Sequence, residues 1–199
     1  MLIPLQRLER IFDERRSQEK AEVREYETWF QGCTHLFLDL GGNRGDTILR
    51  WLTEESYSGR AKDQSVDKIY SLQARQEFCV LSFEPNSKFD SVLRALESRM
   101  QGRGFKVKVK TNTAVSDKFS RSMIYIDDVS THSYGTSLLS DKKVNFGGQL
   151  HSLGRNQSVN LMDFTAILRS IPRGVETVVK MDIEGGEYEV LRSAIASGW

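Results

Sequence analysis

A chain of 199 residues has the length of one domain with room for a real core. Hydrophobic residues at 39% and charged residues at 28% describe a globular protein with a wet surface. A net charge of +1 gives no field strong enough to imply nucleic acid or an anionic membrane as partner. No apolar run reaches membrane length and no signal peptide precedes the charged N-terminus, so the cytoplasm is the default expectation. Cys33 and Cys79 lack metal spacing, and Cys79, inside an apolar run, reads as a small core residue rather than half of a disulfide. That reading suits a reducing compartment.

Residues 1–34 read as a helical segment ahead of a domain spanning 35–199. Leu5, Leu8 and Phe12 share one helical face, and Val23, Tyr26 and Phe30 share another. The mixed charges from Asp13 to Glu22 fit a solvated helix face. The stretch His35 to Thr47, HLFLDLGGNRGDT, organises the rest of the domain. Leu36, Phe37 and Leu38 predict a buried strand, Asp39 lies near its end, Gly41, Gly42, Asn43 and Gly45 form a turn, and Ile48, Leu49 and Leu52 begin a helix. Strand, glycine turn and helix in that order let backbone approach a ligand, with the helix N-terminus favouring an anion. Asp39 sits where open α/β sheets bind their ligands. The glycines miss the G-x-G-x-x-G spacing of nicotinamide enzymes, which disfavours that class, and no Lys-Ser/Thr completes a P-loop. The plain alternative is a turn that needs glycine for positive φ.

Thr53 to Glu77 reads as a polar, partly helical surface insertion. Phe78 to Phe83, FCVLSF, is the second strand, and Pro85 holds Glu84 extended at its end. A carboxylate at that place can accept both hydroxyls of a ribose. A helix runs from Ser91 to Met100. In FKVKVKTNT, Lys106, Lys108 and Lys110 alternate with valines, predicting a third strand at the sheet rim with one face buried and the other wet. Thr113 to Asp117 supplies small residues suited to lying against a flat ring.

Residues 118–160 show little pattern beyond a strand from Met123 to Ile126. His132 and His151 there lack a ligand pattern and read as surface residues. Loops of this kind can also cover a substrate site. Asp163 caps a helix with Ile167, Leu168 and Ile171 inward. Val178 to Asp182 is the fourth sheet strand, and Ile183-Glu184-Gly185-Gly186-Glu187 turns into a last helix.

The segments DLGGNRGDT, FEPN, NTAVSD, SVNLMDFTAIL and KMDIEGGEYEVL, in this order, resemble the FkbM family of S-adenosylmethionine-dependent methyltransferases over about residues 35–199. The first matches the pattern D-x-G-x-N-x-G, with Asn43 in place of a middle glycine. The resemblance implies an α/β Rossmann-like class I methyltransferase fold, a three-layer sandwich here truncated after the fourth strand–helix unit. It also implies S-adenosylmethionine as cofactor and O-methylation of a small-molecule or glycan hydroxyl. Carried over, Asp39, Gly41, Gly42, Asn43 and Gly45 would hold the methionine end, Glu84 the ribose hydroxyls, and Ala114 would lie near adenine. Asp182 and Glu184 would face the methyl and the acceptor as catalytic residues, with Glu187 a first-turn carboxylate. No metal ligand set can be picked out. Ending at Trp199 would leave the fourth strand an open edge with exposed apolar helix faces. The expected protein is therefore an active methyltransferase or a cofactor-binding module completed by a partner.

Overall fold

The computed structural model describes residues 5–55, 69–130, 133 and 135–198. Its elements, numbered in chain order, begin with α1 (Leu5–Phe30), β1 (His35–Leu40), α2 (Asp46–Thr53), α3 (Leu72–Arg75) and β2 (Phe78–Glu84). They continue with α4 (Asp90–Gly102), β3 (Val107–Thr111), β4 (Thr113–Ser116), β5 (Ser120–Tyr125), β6 (Lys143–Phe146) and β7 (Gln149–Ser152). The chain closes with β8 (Asn156–Asp163), α5 (Phe164–Ser170), β9 (Glu176–Met181) and α6 (Glu187–Ala196).

The central sheet is parallel, in the order β3-β2-β1-β9. β1 and β2 are apolar and almost wholly buried, as the middle strands of a sheet covered on both faces must be. Alternate residues serve opposite layers. Leu36, Leu38, Leu40, Leu81 and Phe83 pack against α1, α5 and α6 through Tyr26, Phe30, Ile167 and Val190. Phe37, Phe78 and Val80 pack against α2 and α4 through Ile48, Trp51, Leu96 and Met100. Phe37 and Trp51 stack at 4.0 Å between ring centroids, and Phe78 meets both Trp51 and Tyr70 edge-on at 5.2 Å. Asp163 caps α5 by accepting the Thr165 amide, as its position predicts. The architecture is thus Rossmann-like, with all four expected sheet strands.

The fold departs from expectation in several places. Cys33 and Cys79 form a disulfide that ties the turn after α1 to β2. Cys79 is in the core as its neighbours dictate, but it is bonded there, and the basis for a reducing compartment goes with it. The predicted third strand is β3, at the rim of the central sheet, but the small residues after it form a strand of their own, β4, which leaves after Asn112 (φ 52°) to pair with β8 in a second sheet of order β4-β8-β5. The lysine face of β3 is not simply wet. It faces α1, where Lys108 pairs with Glu25 and Lys110 Nζ lies 2.9 Å from Glu22 and 2.8 Å from Glu25. The unpatterned region holds β5 to β8, with β6 and β7 forming a hairpin that carries the half-buried His151. His132, residues 56–68 of the expected insertion and the side chains of Leu5 and Leu8 lie outside the described residues. Phe12 is 59% exposed, so the apolar face expected at the start of α1 does not bury it.

Candidate functional site

The carboxyl ends of β1, β2 and β9 meet through backbone first. Gly41 and Gly42 both donate to the Phe83 carbonyl, at 3.1 and 2.9 Å, and the Asp182 amide donates to the Leu40 carbonyl at 2.9 Å. This closeness dictates the glycines. A Cβ on Gly41 (φ 90°) would lie 2.0 Å from the Asp182 carbonyl oxygen, and one on Gly42 would lie 2.4 Å from Ser82 Oγ. A larger residue at either place would force the turn off its strands.

Parallel register sets Asp39 between Ser82 on β2 and Lys180 on β9. Asp39 is fully buried, and its Oδ2 accepts the Ser82 hydroxyl at 3.1 Å. Lys180 Nζ lies 3.2 Å from Oδ1 without hydrogen-bond alignment, so charge rather than a directed bond serves that oxygen. Burial pushes the Asp39 carboxyl up, and Lys180 and Ser82 only partly pull it back. The same ammonium donates to the Gly41 carbonyl at 2.7 Å and stands 3.6 Å from Asp182 Oδ2. Lys180 therefore joins the strand tip, the glycine turn and Asp182.

Glu84 is 5% exposed, and its two oxygens accept the amides of Asn43 at 2.7 Å and Asn86 at 2.8 Å. Burial raises its carboxyl to about 7 against the pull of these amides. It has no ion-pair partner among the described residues, which leaves its remaining lone pairs for a neutral donor. Asn43, at φ 51°, is what turns the glycine loop onto this carboxylate.

At the β9–α6 turn the acids divide by role. The Asp182 side chain is 62% exposed. Glu184, at φ 57°, is held instead: its carboxylate pairs with Lys142, and its carbonyl accepts Ser137 Oγ at 2.7 Å and Lys142 Nζ at 3.2 Å. Glu187 accepts the Ile183 and Gly185 amides at 2.9 and 2.8 Å. Burial would raise its carboxyl, but these bonds outweigh burial and hold it below the usual range.

The structure thus brings together Asp39, Gly41, Gly42, Asn43, Glu84 and Asp182, with Gly45 opening α2 and Glu184 just beyond. Ala114 stands apart: it is buried in a cluster with Ile124, Val159 and Leu161 of the second sheet. Sequence reasoning missed Ser82, Lys142 and Lys180. A lysine two places before the strand-end acid, in an otherwise apolar strand, is a signal that could have marked Lys180. Lys142 lies in the unpatterned region and gave none.

Parallel strands ending in carboxylates around a glycine turn form the crevice in which open α/β sheets hold their ligands. The model of the family described as the methyltransferase FkbM domain matches residues 39–197, and the chain belongs to that family. Among solved structures, a methyltransferase FkbM from Methylobacillus flagellatus KT is similar, at 15% identity and a TM-score of 0.43. The match covers 83% of this chain and 31% of that one, so this chain spans about a third of its length. No curated protein matches the chain.

Proposed function

We propose that this site binds S-adenosylmethionine and transfers its methyl group to a hydroxyl of a sugar or another small molecule. One observation carries the reading. Glu84 is a buried carboxylate at the tip of β2, without an ion-pair partner among the described residues and one strand–helix unit from a glycine turn. That environment suits the paired hydroxyls of a ribose, which offer two donors and no charge. The residues present therefore fit the cofactor.

Asp39, Gly41, Gly42, Asn43 and Gly45 would hold its methionine end, with Lys180 fixing the Gly41 carbonyl. Ala114, whose side chain is turned into the second sheet, would reach the adenine side only through its backbone. When bound, the sulfonium supplies an already activated methyl, so the protein's task is alignment and exclusion of water. Asp182 is the candidate base, positioned to take the hydroxyl proton as the oxygen gains the methyl. Glu184, tied to Lys142, would orient the acceptor.

Methyl transfer to a panel of glycans and hydroxylated small molecules tests the activity. Asp182→Asn should lower turnover more than cofactor affinity, and equal loss of both would make Asp182 a structural residue. A second reading has a specific observation behind it. The outer edge of β9 pairs with no described strand, and Val179, Tyr188, Leu191 and Ile195 are exposed beside it. On that reading the chain is a cofactor-binding module whose acceptor site a partner completes. Cofactor binding without transfer to any acceptor would favour it.

A further inference from the structure

A cavity of about 530 Å³ lies between α1 and the second sheet and contains none of the residues assigned above. One wall is α1, which precedes the residues matched by the family, and presents Arg15, Gln18, Glu22 and Glu25 on one helical face at the spacing i, i+3, i+7, i+10. Phe119 and Met162 line the cavity, and Arg121 and Asn160 stand on the sheet side.

Some of its charges are ion-paired and others face solvent. Glu22 and Glu25 are neutralised by Lys108 and Lys110 of β3, with the Lys110 ammonium 5.3 Å from the Tyr26 ring centroid. Arg15 and Arg121, both exposed to solvent, line the same cavity from opposite walls, and neither has a carboxylate partner among the described residues. Asn160 accepts Arg121 Nε at 3.3 Å, which orients the guanidinium and leaves its terminal nitrogens for another acceptor.

We infer that this cavity is a binding site for a sugar-sized organic oxyanion, its carboxylate or phosphate held between Arg15 and Arg121 and its apolar face set on Phe119. The volume falls in the range of small-molecule sites, and a planar guanidinium matches either oxyanion bidentately. No residue is shared with the proposed methyltransferase site, so the two sites stand or fall separately.

Calorimetric titration of the full chain with glucuronate, glucose 6-phosphate and glucose tests it. At least one anion should bind at least about tenfold tighter than neutral glucose, and the stronger of the two identifies carboxylate or phosphate as the held group. Arg121→Gln and Arg15→Gln should each weaken that binding about tenfold while leaving the unfolding midpoint and the affinity for S-adenosylhomocysteine unchanged. Binding of glucose as tight as that of the anions, no heat from either anion, or undiminished binding in either variant would overturn the inference.

Discussion

Lys180 is the residue on which the geometry of the strand ends turns. Its ammonium is the charge facing the buried Asp39, while its side chain remains 29% exposed. Lys180→Met would leave that carboxylate buried beside only a serine hydroxyl. Because solvent reaches the lysine, a loss of about 1–3 kcal/mol is expected rather than the larger value of a fully buried pair. Urea denaturation measures it, and Lys180→Arg should recover part of the loss. Glu84 gives a pH signature of its own. In the folded chain its carboxyl keeps its proton to about 7, whereas the ordinary value for a glutamate is 4.5. Between these values the native state binds more protons than the unfolded one, so this group makes stability fall as pH rises. The change is roughly 3 kcal/mol at most across the window. Comparing denaturation at the two ends for the original chain and Glu84→Gln checks it: the variant should lose that slope. Asp39, Glu84 and the glycines were legible in the sequence because strand-end position and φ are local properties. Lys180 was not, because its meaning comes from its register with Asp39, on a strand far earlier in the chain.

Among elements, α1 shows most clearly what local pattern leaves open. Its helical character and the burial of Tyr26 and Phe30 follow from spacing, and both are observed. Its position does not follow, because alternating lysines on β3 look the same whether they face water or a helix carrying Glu22 and Glu25. The disulfide escapes local pattern for a related reason: Cys79 is an apolar-run residue by every local measure, and only the fold brings Cys33 beside it. The bridge closes a separation of 46 residues. Replacing both cysteines by serine should therefore cost about 2–4 kcal/mol of stability, mainly by freeing the unfolded chain. Thermal melting with and without reductant provides the check, and the same melting point in both conditions would mean that the bridge is absent or inert. The departure of β4 after Asn112 is likewise tertiary, since β4 gains a partner in β8 that lies far along the sequence.

Across the whole molecule, the parallel order β3-β2-β1-β9 puts three acid-bearing strand ends side by side. That these ends meet is what the fold implied by the family resemblance calls for, with ligands bound at the carboxyl ends of the strands. Of the second sheet only β5 was readable, from the strand expected over Met123 to Ile126. Its strands β5 and β8 mix exposed, half-buried and buried positions, so their pattern lacks the apolar runs that made β1 and β2 plain. The central proposal is that the joined ends of β1, β2 and β9 form one nucleoside site with Glu84 on the ribose. Its most direct test is calorimetric titration with S-adenosylmethionine of the original chain and of Glu84→Ala. The account predicts saturable binding that the substitution weakens by about 1–3 kcal/mol, the scale of lost charge-assisted hydrogen bonds. No measurable binding by the original chain, or equal affinity in the two proteins, would contradict it.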